Sequence, residues 1–369
     1  MRIIKSFFIV SFLTFTLLEI TGFFLIKTKL LNIGLPSWVT FYADEDTSFW
    51  HPSNVTFRLQ KKNCWLSTVS YNNFGMRDTE DLTDDKKKKR IAILGTSMQE
   101  SIQLSDGYDF GGVLKKKMDN YEVFNFSLRG SGFYDRIDVY NKYISKQNFD
   151  ILLLFINDGD IFYNDFNYQR GRSPNIPQFK VINNEVVKID RNAKFFIKYN
   201  SWPNKTKRYL SKYLKKLSTY QIYLSVNDYF RSVKINDEMV ANKTHEETKY
   251  SKNFEDKKKI YKHIKDKFVK SLNKDTELFV VYNLMHVHFM DNIDLNNEEL
   301  FILNKVRPFL KKVWADEGFY DPLVDARNFL INKKKNEYPF LSIGDCDSHY
   351  SSLGVEFYSD YLKKTITKN

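Results

Sequence analysis

The stretch Arg90-Ile-Ala-Ile-Leu-Gly-Thr-Ser-Met-Gln-Glu-Ser101 decides the fold class of this 369-residue chain. Its apolar residues 91–94 form a short run typical of a buried β-strand, and the run ends at Gly95. Ser97 follows two positions later, and open α/β sheets carry their reactive groups at the carboxyl ends of strands. Because Gly-Thr-Ser is also common in ordinary turns, this stretch alone does not establish a reactive serine.

Strand-like and helix-like runs alternate after this point. Residues 121–126 and 151–156 predict strands, whereas residues 110–118 and 134–145 have the apolar spacing of helices. This alternation predicts an α/β fold, a three-layer sandwich with a mostly parallel sheet. The later predicted elements are a hairpin at 178–189, strands at 277–284 and 340–343, and helices at 205–231, 254–272, 298–314, 322–331 and 352–366.

An almost wholly apolar run covers residues 6–26, about the length that crosses a ~30 Å bilayer core. Glu19 is the one charge inside it and is costly in hydrocarbon unless it is protonated or pairs with another subunit. No small-residue cleavage site follows, so the run predicts an uncleaved transmembrane signal anchor, with a buried core helix as the alternative. The predicted division is an anchor at 1–29, a connector packing on the domain at 30–89, and an α/β domain at 90–369 with an insertion at about 160–275.

Composition excludes some classes of function. The net charge of +12 comes mostly from lysine, and no zinc-ligand or RNA-binding signature accompanies it, which argues against a nucleic-acid partner. The two cysteines, Cys64 and Cys346, form no disulfide framework; they are either one bridge of an exported protein or two buried thiols. His286 and His288 lack partner ligands at metal-site spacing, so neither a metal nor another cofactor is expected.

Four separated stretches together resemble the SGNH/GDSL hydrolase superfamily, in the order that this family shows. They are the Gly95-Thr-Ser97 turn, residues 121–132 ending in Gly130-Ser-Gly132, Asn157-Asp158 after a buried strand, and Asp347-Ser-His349 before the last helix. Residues 71–78 also match an Asn-x-x-Gly-x-Arg-Asp stretch that precedes the serine motif in many membrane-anchored bacterial relatives. The resemblance covers about residues 72–362.

The resemblance implies a catalytic triad. Ser97 is then the nucleophile, and because a serine hydroxyl is weak without a base, His349 is expected within hydrogen-bonding reach. Asp347 is expected to orient the His349 ring and to stabilise its charged form. Many relatives space these residues as Asp-x-x-His, and Cys346 occupies that aspartate position here. The Asp-x-His spacing is also found, notably in bacterial relatives similar to alginate acetyltransferases. Asp345 remains an alternative partner for His349.

An oxyanion hole is implied by the same resemblance, formed by the backbone N–H groups of Ser97 and Gly130 and the side-chain amide of Asn157. The alternative for Asn157 is a simple Asx turn. The sequence departs from the family at Thr96, where aspartate is usual, which puts efficient catalysis in question.

These motifs predict a membrane-anchored serine esterase or O-acyltransferase acting on ester groups of an envelope or exported glycan. The membrane is a partner through the N-terminal helix, and the catalytic domain is expected outside the cytoplasm, on the periplasmic side. The competing prediction is a non-catalytic binding or assembly protein of the envelope with the same fold.

Overall fold

The computed structural model of the chain describes residues 2–28, 34–36, 42–44, 48–61, 64–164, 178–189, 214, 217–226, 253–284, 297–332 and 347–368. The strands are β1 (Leu35–Pro36), β2 (Tyr42–Asp44), β3 (Ser48–Trp50), β4 (Val55–Lys61), β5 (Trp65–Tyr71), β6 (Lys89–Leu94), β7 (Tyr121–Asn125), β8 (Ile151–Ile156), β9 (Gln178–Ile182), β10 (Glu185–Ile189), β11 (Glu277–Tyr282) and β12 (Phe319–Tyr320). The α-helices are α1 (Arg2–Lys27), α2 (Ser97–Glu100), α3 (Phe110–Lys117), α4 (Phe133–Val139), α5 (Asp160–Tyr163), α6 (residues 218–226), α7 (Phe254–Ser271), α8 (Asn297–Phe301), α9 (Arg307–Val313), α10 (Leu323–Asn332) and α11 (Ser352–Ile366).

A five-stranded sheet with the order β7-β6-β8-β11-β12 forms the centre, and each neighbouring pair is parallel. Counted along the chain this is the order 2-1-3-4-5 of doubly wound folds, whose chain direction across the sheet reverses between the first and third strands. Strand β8 (Ile151–Ile156) is buried along its whole length, as expected of a strand covered on both faces. The predicted α/β fold with a mostly parallel sheet is therefore confirmed.

Helices cover both faces of this sheet. On one face Phe110 of α3 packs edge-on against Phe155 of β8, with ring centroids 5.2 Å apart, and Tyr358 of α11 joins them. On the other face Phe133 of α4 stacks on Tyr261 of α7 at 5.1 Å, and Trp314 completes that cluster. Aromatic pairs of this kind add to the stabilisation from buried apolar area. The arrangement is the predicted three-layer sandwich.

The connector contains more regular structure than the sequence analysis assigned to it. Strands β4 and β5 form an antiparallel hairpin, and β1 pairs with β4 in parallel. Alternate residues of β4 face a small core of their own, in which Phe57 and Leu59 are buried. This period of two is the signal of a half-buried strand and was present in the sequence, although no strand was predicted in the connector.

Helix α1 contains an apolar stretch of 21 residues, Ser6–Ile26, long enough to span a membrane, and only 6% of it is buried in the protein. The Glu19 carboxylate in this stretch accepts backbone N–H bonds from Ser218 (2.7 Å) and Thr219 (3.0 Å) at the start of α6. At Gly22, an added Cβ would lie 3.0 Å from the Ser218 Cβ, so the glycine allows the two helices to approach closely. Glu19 is therefore paired within the chain.

Other predicted elements are found with small shifts in their ends. The helix predicted at 134–145 is α4 followed by a π-helical turn at Tyr140–Ile144. The hairpin turn at Asn183 and Asn184 has both residues at positive φ, as a two-residue hairpin loop requires. Strand β12 was not predicted. The strand predicted at 340–343 and most of the helix predicted at 205–231 lie outside the described residues.

Candidate active site

Ser97 follows β6, next to β8, where the direction in which the chain crosses the sheet reverses. Residue Leu94 of β6 is paired with Leu154 of β8, so Ser97 and Asn157 each lie three residues beyond this pair on adjacent parallel strands. Ser97 begins α2, and the amide groups of a helix's first turn have no acceptor within the helix. Within the described residues, the Ser97 amide donates to no other group. A donor is thus available where an oxyanion hole requires one.

Asn157 follows β8 directly and forms the Asx turn that the sequence analysis left open. Its Oδ1 accepts the Gly159 N–H at 2.8 Å, and its own backbone N–H donates to Asp160 Oδ2 at 2.8 Å. Asp160 is in turn paired with Arg136, and both side chains are fully buried. The turn uses Asn157 Oδ1 and leaves its Nδ2 amide without an acceptor among the described residues. The Asx turn and the oxyanion role are therefore compatible, because they use different atoms.

Gly130 lies in the loop after β7, with φ at +71°, a conformation that favours glycine. The loop runs alongside the serine turn, since Leu128 N–H donates to Gly95 O at 3.2 Å. The residue before the glycine, Arg129, donates its backbone N–H to Glu100 Oε2 at 2.7 Å. The loop that carries Gly130 is therefore fixed to the short helix that begins with Ser97.

Glu100 is a fully buried carboxylate that the sequence analysis did not identify. Tyr71 Oη donates to its Oε1 at 3.1 Å, and the Arg129 guanidinium and the His51 Nε2 each lie 3.3 Å from the same oxygen. Burial alone raises the pKa of the Glu100 carboxyl, but the charges of Arg129 and His51 hold this pKa below its ordinary value. The sequence signal for such a residue was the polar pair Gln99-Glu100 shortly after the candidate nucleophile.

Arg77 holds the other side of this turn through three backbone carbonyl groups. Its guanidinium donates to Ser101 O (2.9 Å), Glu100 O (3.2 Å) and Leu104 O (2.7 Å). The next residue, Asp78, pairs with Lys115 at 3.0 Å. Arg77 and Asp78 therefore fix this loop through two separate contacts with the domain.

Asp347 and His349 lie in direct contact. Asp347 Oδ1 accepts the His349 backbone N–H at 3.0 Å and also contacts Nδ1 of the ring. Burial raises the pKa of Asp347, but the hydrogen bonds and charge of His349, with a further bond from Trp65, outweigh burial and hold this pKa below its ordinary value. An ionised carboxylate on Nδ1 leaves Nε2 as the atom that can accept a proton. Asp345, the alternative partner, lies outside the described residues.

A chain of hydrogen bonds joins the serine turn to the segment of His349. Gln99 Nε2 donates to Asn283 Oδ1 at 3.1 Å, and Asn283 Oδ1 also accepts from Tyr350 Oη. Gln103 Nε2 donates to the Tyr350 carbonyl at 2.9 Å. These hydrogen bonds place the serine turn and Tyr350, the residue after His349, in one region. Ser97 and His349 themselves, both described, share no hydrogen bond, so the complete triad stays a prediction.

Metal ligation was not expected at this site. Among the described residues there is no group of three or more His, Cys, Asp or Glu side chains that could hold a metal ion. His286, His288 and Cys346 lie outside the described part of the chain.

Comparison with known proteins gives structural neighbours but no family. No family model matches the sequence, and no curated protein matches it. The acetyl xylan esterase AlAXEase is 12% identical with a TM-score of 0.39, over 75% of this chain and 99% of that one. A lipase/acylhydrolase from Enterococcus faecalis is 9% identical with a TM-score of 0.39, over 76% and 96%. A lipolytic G-D-S-L family protein from Veillonella parvula is 11% identical with a TM-score of 0.38, over 76% and 100%. At this level of similarity the neighbours carry no inference about what this chain does.

Proposed function

We propose that the chain is a membrane-anchored serine esterase or O-acyltransferase that forms an acyl-enzyme on Ser97 and acts on ester groups of an envelope or exported glycan. The observation that carries the proposal is the Asp347–His349 pair beside the serine turn, with the carboxylate on Nδ1 of the ring. The Ser97 amide and the Asn157 Nδ2 group, beyond paired strand ends, are suited to stabilise an oxyanion.

In the first half of the reaction, Ser97 Oγ bonds to the acyl carbon while its proton passes to His349 Nε2. The negative charge that develops on the carbonyl oxygen is stabilised by the N–H groups of Ser97 and Gly130 and by Asn157 Nδ2. The alcohol oxygen then leaves with the proton from His349, and the acyl group stays on Ser97. In the second half, the oxygen of water or of a sugar hydroxyl bonds to the acyl carbon while its proton passes to His349. The bond from the acyl carbon to Ser97 Oγ then breaks, and His349 returns the proton to Ser97 Oγ. The attacking group decides between hydrolase and transferase.

Two observations support the membrane-anchored, extracytoplasmic arrangement within this proposal. The apolar stretch Ser6–Ile26 has the length and composition of a membrane span. Cys64 is disulfide-bonded, and structural disulfides persist in oxidising compartments such as the periplasm. A glycan of the envelope or an exported glycan is the acylated polymer that such a domain would meet.

The test uses the full-length protein in detergent and a fluorophosphonate probe, which reacts with activated serines. We expect labelling of the wild type, loss of labelling in Ser97→Ala, and strongly reduced labelling in His349→Ala, because the unassisted hydroxyl reacts slowly. Ser145→Ala is the matched control, since this hydroxyl binds the Asn141 carbonyl at the opposite edge of the sheet. Labelling that survives Ser97→Ala would show that another serine reacts.

A second assay separates hydrolysis from transfer. Incubation with p-nitrophenyl acetate releases acetate if water is the acceptor, and adding a soluble oligosaccharide yields an acetylated sugar if a hydroxyl is the acceptor. A folded wild type that neither hydrolyses this ester nor reacts with the probe would favour the alternative, a non-catalytic envelope binding protein. The observation that favours this alternative is the absence of a hydrogen bond between the described residues Ser97 and His349.

A further inference from the structure

We propose that Trp65, in the hairpin of the connector, is a positioning residue for the reaction, fixing the Asp347 carboxylate through its indole N–H. The proposal rests on the triad of the proposed function and adds to it a residue from outside the four motifs. Trp65 Nε1 donates to Asp347 Oδ2 at 2.6 Å, which is short for an N–H···O bond, and hydrogen bonds to ionised acceptors are the shorter and stronger ones.

The two oxygens of Asp347 have separate partners. Oδ1 is used by His349, through its backbone N–H and its ring, and Oδ2 is used by Trp65. A carboxylate held at both oxygens cannot rotate about its side-chain bond without breaking one of these contacts. Trp65 therefore determines which oxygen faces the imidazole and at what angle, as outer partners do for other functional side chains.

Lys61, the residue paired with Trp65 across the hairpin, contributes less. Its ammonium group lies 3.5 Å from Asp347 Oδ2, but half of the lysine side chain is exposed. Exposed ion pairs of this length are weak because solvent screens them. Asp347 itself is only 7% exposed, so water is a poor substitute for the indole donor. The positioning role therefore belongs mainly to Trp65.

The hairpin is itself held firmly in place. Trp65 begins β5 and packs against the small core that contains Phe57 and Leu59. Its neighbour Cys64 is disulfide-bonded, and the only other cysteine of the sequence is Cys346, which directly precedes Asp347. A rigid donor is what the positioning role requires, since a mobile one would not restrict the carboxylate.

A double-mutant cycle with the full-length enzyme tests whether Trp65 acts through Asp347. Trp65→Phe removes the N–H and keeps an aromatic ring, and we expect kcat for p-nitrophenyl acetate to fall about tenfold with KM unchanged. Asp347→Asn should lower kcat at least as much. The double variant should match Asp347→Asn alone, because no oriented carboxylate remains for Trp65 to hold. Additive losses would overturn the proposal.

The matched control is Trp50→Phe, the same change at another tryptophan of the connector. Trp50 is buried, and its Nε1 donates to the Phe74 carbonyl at 2.7 Å, so the substitution also removes an indole hydrogen bond. We expect Trp50→Phe to lower the unfolding midpoint while kcat stays within about twofold of wild type. Equal losses of kcat in Trp50→Phe and Trp65→Phe would reduce Trp65 to a structural residue and overturn the proposal.

A measurement that needs neither activity nor a folded Trp65 variant uses the indole N–H signals of the five tryptophans in NMR spectra. In Asp347→Asn one signal should move upfield, since an amide is a weaker acceptor than a carboxylate. Five unmoved signals would overturn the proposal. If one signal moves but the wild type has no esterase activity, the contact exists while the proposed function, and the positioning role with it, fails.

Discussion

The buried carboxylate of Glu100 offers a sharp test of how this site is held together. Glu100→Gln keeps the shape of the side chain and one acceptor oxygen but removes the negative charge. Two cationic or potentially cationic groups, Arg129 and His51, then remain buried next to a neutral amide. One oxygen also becomes an NH₂ group, which cannot accept a bond. The substitution therefore affects both the ion pairs and the hydrogen bond from the Arg129 backbone.

The magnitude follows from the burial of these partners. Glu100 is fully buried, His51 is 1% exposed and Arg129 is 9% exposed, so water does not replace the lost charge. Removing one partner of a buried pair typically lowers the free energy of unfolding by about 3–5 kcal/mol. We expect a loss of about 3 kcal/mol here, at the lower end, because Gln retains one acceptor. The loop of Gly130 should also lose its fixed position, lowering kcat more than it raises KM.

The assay is urea unfolding followed by tryptophan fluorescence, with initial rates on p-nitrophenyl acetate measured in parallel. The control is Glu255→Gln, since the Glu255 side chain is 75% exposed in its pair with Lys258. That variant should unfold at the wild-type urea concentration. If Glu100→Gln is as stable as Glu255→Gln, the inference that Glu100 joins the serine turn to the Gly130 loop is wrong.

Two further predictions concern other buried groups. Burial raises the pKa of Asp158 to about 7, although the hydrogen bond from Tyr282 opposes this shift. Because this pKa is higher in the folded than in the unfolded protein, the protein loses stability as the pH rises from about 4 to about 7. Asp158→Asn should therefore stabilise the protein against urea at pH 8 but not at pH 4.5. An equal effect at the two pH values would contradict the raised pKa of Asp158. The contact between α1 and α6 predicts that Gly22→Cys with Ser218→Cys forms a disulfide in the full-length protein. The control pair, Ile20→Cys with Ser218→Cys, should form no disulfide, because Ile20 is 51% exposed. Equal cross-linking of the two pairs would contradict the contact between α1 and α6.

The fold class could be predicted because its signals are local. The run 151–156 is apolar at each position and the run 91–94 ends on Gly95, and such runs have few alternatives to a buried parallel strand. Strand β12 could not be predicted, since it consists of only two residues whose pairing with β11 comes from tertiary contact. The connector hairpin was missed for another reason. Apolar and polar residues alternate along β4, but the tryptophan and polar residues scattered around this strand made the alternation hard to recognise.

The site could be predicted only as far as its motifs extend. Asp347 and His349 are two residues apart, so their contact follows from local geometry. The contacts of Trp65 with Asp347 and of Glu100 with Arg129 join residues separated by 282 and 29 positions, respectively. No period or spacing encodes such contacts. The adjacency of Cys64 to Trp65 and of Cys346 to Asp347 was the one long-range signal available, and it becomes informative only once Cys64 is known to be bonded.

Thr96, the residue before Ser97, is held in place by the groups that surround it. Its backbone N–H donates to Gln99 Oε1 at 3.1 Å, and Gln99 Nε2 in turn donates to Asn283 Oδ1. Gly95 makes room for this amide, since a Cβ there would lie 2.6 Å from Gln99 Oε1. The turn before Ser97 is thus fixed by hydrogen bonds between uncharged groups. Because amides do not titrate, these hydrogen bonds persist across the range from about pH 5 to pH 8, in which unperturbed histidine side chains change their charge.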